Sequence, residues 1–249
     1  MTEVYCHRGY SGLYPENTML AFQKAVQTGA DGIELDVHLT RDGEVVVFHD
    51  ERLERVTDGV GFLKDFTLKE LKKLDASGVY RGKVSAQRIP TLREYFELVA
   101  PTGMKTNIEF KTGLFEYPGL EEKVWELVLE YGQENRVLFS SFHGQTLLRL
   151  KRIAPEVPCG LLHQNKLLKA GTVVRDLGLE CYHPMFLQLT PEVIRDLKDH
   201  NRRINTYTPN GRLVLRYLMK REVDAVITNF PERAMKLRQK IQGKTVDKR

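Results

Sequence analysis

Eight times in succession this chain follows a strand-like apolar run with a helix-patterned stretch, and no other feature narrows the choice of fold as far. The runs fall near residues 3–7, 31–37, 104–110, 136–140, 157–162, 178–183, 203–207 and 224–228. Helical periodicity follows near 17–28, 91–99, 120–133, 144–153, 166–176, 190–200, 210–220 and 231–242. Strands that alternate with helices build parallel sheets with crossover connections. Eight such pairs in 249 residues predict one α/β domain, residues 1–249, folded as a (β/α)8 TIM barrel. A doubly wound open sheet is the competing arrangement, but the first turn lacks a Gly-x-Gly-x-x-Gly fingerprint. Helix starts carry suitable caps: Asn17 or Thr18, Thr190 before Pro191, and Asn229 near Pro231.

One interval breaks the rhythm. Between the second strand and the helix at 91–99 lies a small insertion, approximately 41–90. It opens with "RDGEVVVFHD", where Asp42-Gly43 sits between extended segments like a hairpin turn. It continues through "FTLKELKKL", a short amphipathic helix, to "IPTL". A strand-to-helix loop of a barrel lies on the C-terminal face, so the insertion is placed to wall a pocket there.

The chemistry begins with "DGIELDV" at 31–37. On a strand, Ile33, Leu35 and Val37 share one face, while Glu34 and Asp36 share the other. The apolar set suits the helix layer, which sends both carboxylates into the barrel. In "MKTNIEFK" the same parity puts Asn107, Glu109 and Lys111 on the inner face. Neighbouring strands then bring Glu34, Asp36 and Glu109 together, and three close carboxylates repel unless something positive stands between them. Oxygen-only ligands favour one hard divalent ion, Mg2+ or Ca2+; pairing with Lys111, Arg8 or Lys105 is the alternative. His38 shares the parity of Glu34 and Asp36, but lies at the strand end, where an exposed or loop-bracing imidazole is the expectation rather than a metal ligand.

His7 ends the first strand and His49 ends the extended run Val45–Phe48. Imidazole titrates near neutral pH, so a pair can divide general base from general acid. Arg8 and Lys111 supply charge of the kind that clamps phosphate oxygens. Two proton carriers, a hard metal and a cationic clamp are what phosphodiester cleavage requires. Ser140, Ser141, Phe142, His163, Met185 and Tyr207 also fall near strand ends, where Phe142, Met185 and Tyr207 could shape an apolar side. His143 reads as part of a helix start, and His163 and His183 as satisfied polar residues.

The formal charge of +5 raises the question of nucleic acid. The excess collects in Arg233, Lys236, Arg238, Lys240, Lys244, Lys248 and Arg249, while Ala234, Leu237 and Ile241 recur beside it at helical spacing. A docked last helix with a solvated basic face is therefore expected, and no nucleic-acid motif accompanies it. Cys6, Cys159 and Cys181 are widely spaced and odd in number, which argues against disulfides and thiolate zinc and for a cytoplasmic setting. No stretch approaches the roughly 20 apolar residues of a membrane span, so no stable membrane insertion is expected.

Taken together, "HRG" at 7–9, "PENT" at 15–18, "IELDVHLTRDGEVVVFHD" at 33–50, "IPTL" at 89–92, "IEFK" at 108–111 and "ITNFPE" at 227–232 resemble the glycerophosphodiester phosphodiesterase family. The resemblance spans effectively the whole chain. It implies a TIM barrel that hydrolyses a small-molecule glycerophosphodiester to sn-glycerol 3-phosphate and an alcohol. By matching position it implies Glu34, Asp36 and Glu109 on a divalent metal, His7 and His49 as the acid–base pair, and Arg8 and Lys111 on the phosphate. Tyr207 stands where many relatives carry tryptophan, as a wall near the glycerol. Asn229 replaces a frequent aspartate and is expected to serve loop hydrogen bonding. Gly9 is expected to free the backbone beside a ligand, and Glu16 to orient Arg8. A phospholipase-like enzyme acting on lysophospholipids is the second reading; it would need an apolar rim or anchor, and no exposed Trp-, Phe- or Leu-rich helix is evident. A silent phosphodiester-binding barrel is a third. It predicts gaps in the acid–base or metal set, and none is visible. Self-association as a homo-oligomer stays open.

Overall fold

The computed structural model describes residues 1–242. Strands β1 (Glu3–His7), β2 (Gly32–Leu39), β4 (Lys105–Phe110), β5 (Val137–Ser141), β6 (Cys159–His163), β7 (Cys181–Pro184), β8 (Arg203–Tyr207) and β9 (Ala225–Thr228) pair in parallel, and β1 pairs with both β2 and β9. The sheet thus closes on itself as a (β/α)8 barrel. β3 (Val45–Val47) adds an antiparallel flap on the upper part of β2. The outer layer is α1 (Met19–Gln27), α3 (Leu92–Val99), α4 (Leu120–Glu130), α5 (Gly144–Ile153), α6 (Ala170–Asp176), α7 (Pro191–Asp199), α8 (Arg212–Lys220) and α9 (Pro231–Gln242). The short α2 (Leu68–Leu71) belongs to the insertion.

Outward-facing strand residues such as Ile33, Leu35, Ile108 and Phe139 meet Phe22, Phe96 and Val124 of the helices in one large core. Tyr5, Leu138, Ala225 and Ile227 form a smaller group of their own. The insertion has its own core of Val46, Phe48, Leu53, Leu63, Leu71 and Ile89. That core takes in Val46 and Phe48, the latter directly before His49, so the excursion holds His49 in place as well as walling the mouth. A capping box between Thr67 and Glu70 starts its one-turn helix.

Three expectations gain detail. β2 runs two residues past 37 because β3 pairs with it from Val37 to Leu39, and His38 is consequently buried, in the loop-bracing role of the two expected. Thr18, not Asn17, caps α1, since its hydroxyl accepts from the Ala21 amide; Asn17 takes a φ of 53° instead. Gly9 does turn the backbone, at a φ of 77°, and a close approach to α1 requires it as well: a Cβ there would lie 2.9 Å from Ala21. The last helix docks as expected, with Ala234 buried and Leu237 and Ile241 on the core. Lys244, Lys248 and Arg249 lie outside the described residues.

Candidate active site

Register does most of the assembly. β1 and β2 set His7 opposite Glu34, and β2 and β4 set Asp36 opposite Glu109. One oxygen from each of Glu34, Asp36 and Glu109 lies within 4.8 Å of the others, and all three residues are buried. Asn17 donates from Nδ2 to Asp36 Oδ2 at 2.9 Å, and the Arg8 backbone amide donates to Glu34 Oε2 at 3.0 Å. Lys111 Nζ donates to Glu109 Oε1 at 2.8 Å and stands 3.8 Å from Asp36 Oδ1. Arg8 Nε is 3.5 Å from Asp36 Oδ2. Lys105, the third cation considered for this cluster, pairs instead with Glu3.

Two cations against three carboxylates leave the trio unbalanced. Burial, with Asp36 and Glu109 close by, pushes the Glu34 carboxyl well above its ordinary value. Burial pushes Glu109 up as well, against the opposing pull of Lys111. Asp36 goes the other way: burial alone would raise it, but His49, Arg8 and Lys111 hold it below the usual carboxylate range. Its Oδ1 is buried and without a hydrogen-bond partner, an arrangement rare without a reason. An oxygen-only donor set with a spare acceptor fits a hard divalent cation.

Both imidazoles are tied at Nδ1. His7 Nδ1 is 2.6 Å from Asn229 Oδ1, which also accepts from the Ser11 hydroxyl; with Nδ1 as donor, Nε2 is left 4.0 Å from Glu34. Burial, then Arg8, lowers the His7 pKa to about 3. His49 Nδ1 is 2.5 Å from Asp50 Oδ1, and Lys111 Nζ donates to its Nε2 at 3.2 Å. Arg55 links the two sides. It donates to Asp50 Oδ2 at 2.5 Å and to both oxygens of Glu16 at 2.9 and 2.6 Å, and Glu16 accepts from Arg8 Nη1 at 2.8 Å. Burial alone would raise Glu16, but Arg55 and Arg8 bring it down to about 2.

These groups face one cavity of about 350 Å³, with His7, Arg8, Glu34, His49, Glu109 and Lys111 on its polar side. Phe142, Tyr207, Leu162 and Ile227 form the apolar side. Tyr207 donates its hydroxyl to the His163 carbonyl at 3.2 Å and sets its ring edge-on to Phe142. Every site residue expected from sequence thus lines this cavity or, for Asp36, lies against it.

The remaining histidines sort differently. His38 accepts or donates at Tyr117 and bonds the His49 carbonyl at 3.3 Å, bracing that residue from below. It stands outside the carboxylate cluster. His183 is buried beside Asn205, and His143 occupies the N-cap position of α5 without a side-chain capping bond. Asn229 does serve loop bonding, through the Gly12 amide, but it also reaches His7. Sequence reasoning missed Asn17, Arg55 and that contact. "PENT" and the motif around His49 held Asn17 and Asp50 in view, but nothing local says which side chain they meet.

Fold and site define a phosphoric diester hydrolase. Comparison with known proteins narrows the class. The model of the Glycerophosphoryl diester phosphodiesterase family matches residues 7–233, from the first histidine to the start of the last helix. A glycerophosphodiester phosphodiesterase of Caldanaerobacter subterraneus subsp. tengcongensis is 42% identical over 95% of this chain and 97% of its own length. One from Bacillus altitudinis is 39% identical over 97% of this chain and 100% of its own. Among solved structures, an Oleispira antarctica phosphodiesterase in complex with the product sn-glycerol-3-phosphate superimposes with a TM-score of 0.84 at 31% identity, covering 95% of this chain and 96% of that one. The chain belongs to the glycerophosphoryl diester phosphodiesterase family.

Proposed function

We propose that this protein hydrolyses glycerophosphodiesters to sn-glycerol 3-phosphate and an alcohol, with one divalent cation, Mg2+ or Ca2+, held by Glu34, Asp36 and Glu109. The observation that carries the reading is a buried carboxylate trio in the same cavity as two imidazoles, each tethered through Nδ1. The product bound to the Oleispira relative supports the choice of substrate.

When bound, the cation supplies Lewis-acid charge against a non-bridging phosphate oxygen. Arg8 and Lys111 add positive charge on the same anion. His7 and His49 line the cavity with Nδ1 committed elsewhere, one to remove the proton of the attacking hydroxyl or water and the other to protonate the departing alcohol. Asn229 and Asp50 fix which ring nitrogen carries the resident proton. Tyr207 and Phe142 offer the carbon side of the glycerol an apolar wall. A silent binding barrel lacks support, because no member of the set is missing. Three buried thiols, none paired with another among the described residues, support a reducing cytoplasmic setting.

The direct test is release of sn-glycerol 3-phosphate from glycerophosphocholine and glycerophosphoethanolamine. Release is expected to stop on chelation and to return with Mg2+ or Ca2+. Unabated release by chelated enzyme would remove the metal from the reading.

Arg55 touches no substrate-facing atom, yet it braces Asp50 behind His49 and Glu16 behind Arg8. Arg55→Met is expected to lower kcat roughly 10- to 100-fold by letting both groups drift from a reactive pose, with a smaller change in KM. Its half-exposed ion pairs add little to stability, so the melting temperature should hardly move. Wild-type kcat in this variant would show that the bridge is idle.

A further inference from the structure

The barrel mouth has a surface character that the cavity chemistry does not use. Phe142, Leu168 and Leu187 stand exposed on the connections after β5, β6 and β7, and Leu213 in the first turn of α8 after β8. Those strands are consecutive neighbours, so the four side chains form one arc of the rim. Leu13 and Leu114 continue it on the connections after β1 and β4. Among the described residues, the exposed large apolar side chains outside the mouth-side connections and the insertion are Met1, Leu129 and Tyr217. Single exposed leucines need no explanation; their concentration on one end of the molecule does.

Charge follows the same arc. Residues 142–143, 164–169, 185–190 and 208–213 contain no Asp or Glu, whereas Lys166, Lys169 and Arg212 are exposed among them; Glu192, exposed in the first turn of α7 near Lys166, offsets part of that charge and leaves the arc net basic. We propose that this arc is a peripheral docking surface for an anionic phospholipid bilayer, seating the cavity mouth against the headgroup layer. Apolar tips enter the boundary between headgroups and acyl chains, while neighbouring cations pair with lipid phosphates. A second copy of the chain is the poorer occupant. A two-fold contact would set the basic arc of Lys166, Lys169 and Arg212 against the same basic arc of the other copy. Docking of this kind is reversible and needs no spanning helix, and no described helix is long and apolar enough to cross a membrane. The rim lies not along one helix but on separate connections and one helix start, each contributing a single apolar residue.

The test is sedimentation of the full chain with phosphatidylcholine vesicles, with and without phosphatidylserine. The wild type is expected to bind the phosphatidylserine vesicles more tightly and to be released by salt. Combining Leu168→Asp, Leu187→Asp and Leu213→Asp is expected to weaken that binding about tenfold or more, with an unchanged thermal melt and unchanged turnover of soluble glycerophosphocholine. Binding itself does not depend on the proposed activity, so the two readings fail separately. No binding by the wild type, or equal binding by the triple variant, would overturn the proposal. So would binding lost on truncation after Gln242 but untouched by the triple variant, or a wild-type dimer without lipid that the variant dissolves.

Discussion

Replacing His49 with alanine is expected to slow glycerophosphodiester turnover by roughly 10²–10⁴-fold, and replacing His7 to do the same, the range typical of a lost general acid or base. Neither ring is held by packing alone. His7 is fixed to Asn229, and His49 to Asp50 and, through it, to Arg55 and Glu16. In both, Nδ1 is committed and the ring lines the cavity, but His49 Nε2 accepts from Lys111 while His7 Nε2 stands 4.0 Å from Glu34, so the two can serve different protons. A substrate whose alcohol is nitrophenol needs no protonation to leave. It should therefore restore much of the activity of one alanine variant and not of the other. Steady-state rates on glycerophosphocholine and on the nitrophenyl diester read this out. Rescue of both variants, or of neither, would defeat a division of labour between them.

The second large effect is competition between proton and cation at the carboxylate trio. Glu34 is raised above its ordinary 4.5 by burial beside Asp36 and Glu109, so without a cation it keeps its proton to higher pH. A metal must displace that proton. Affinity for Mg2+ or Ca2+ should accordingly fall as pH drops through the raised value, with uptake of the ion releasing up to one proton. Calorimetric titration in buffers of different ionisation enthalpy measures that release; none at neutral pH or below would refute the proton on Glu34.

Stability carries the same linkage with two signs. The folded chain holds the Glu34 proton more tightly than the unfolded chain, so this group's contribution is full below 4.5 and is lost as pH rises through its folded value. Asp36 is depressed below its ordinary 3.8, and its contribution is present above that value and lost in acid. Chelated protein should thus melt lower as pH rises above the ordinary glutamate range, and a cation at about 100 times its Kd should restore about 2.7 kcal/mol. Scanning calorimetry across pH, with and without the ion, separates the two terms.

How much of this was legible beforehand depends on the distance over which each signal acts. The eight-fold rhythm of strands and helices was plain, because periods of 2 and 3.6 residues are local. Side-chain parity alone sent Glu34, Asp36 and Glu109 inward, and the observed register sets Asp36 directly beside Glu109. Whether His38 is exposed or braces a loop was not legible, because its burial depends on the β3 flap rather than on β2 itself. The α6 region was read as helical from 166, yet its first residues form a mouth loop and the helix begins at Ala170.

The sequence by itself therefore determined the barrel, the inward carboxylates and the two histidines at strand ends. Tertiary structure alone decided what holds them. Asn229 meets His7 across 222 positions, and Arg55 reaches Glu16 across 39. It also decided that solitary leucines on successive loops share one rim. Short-range backbone preferences leave their mark in any short window of residues, whereas contacts made by closing a barrel bring together side chains whose spacing along the chain carries no period to read.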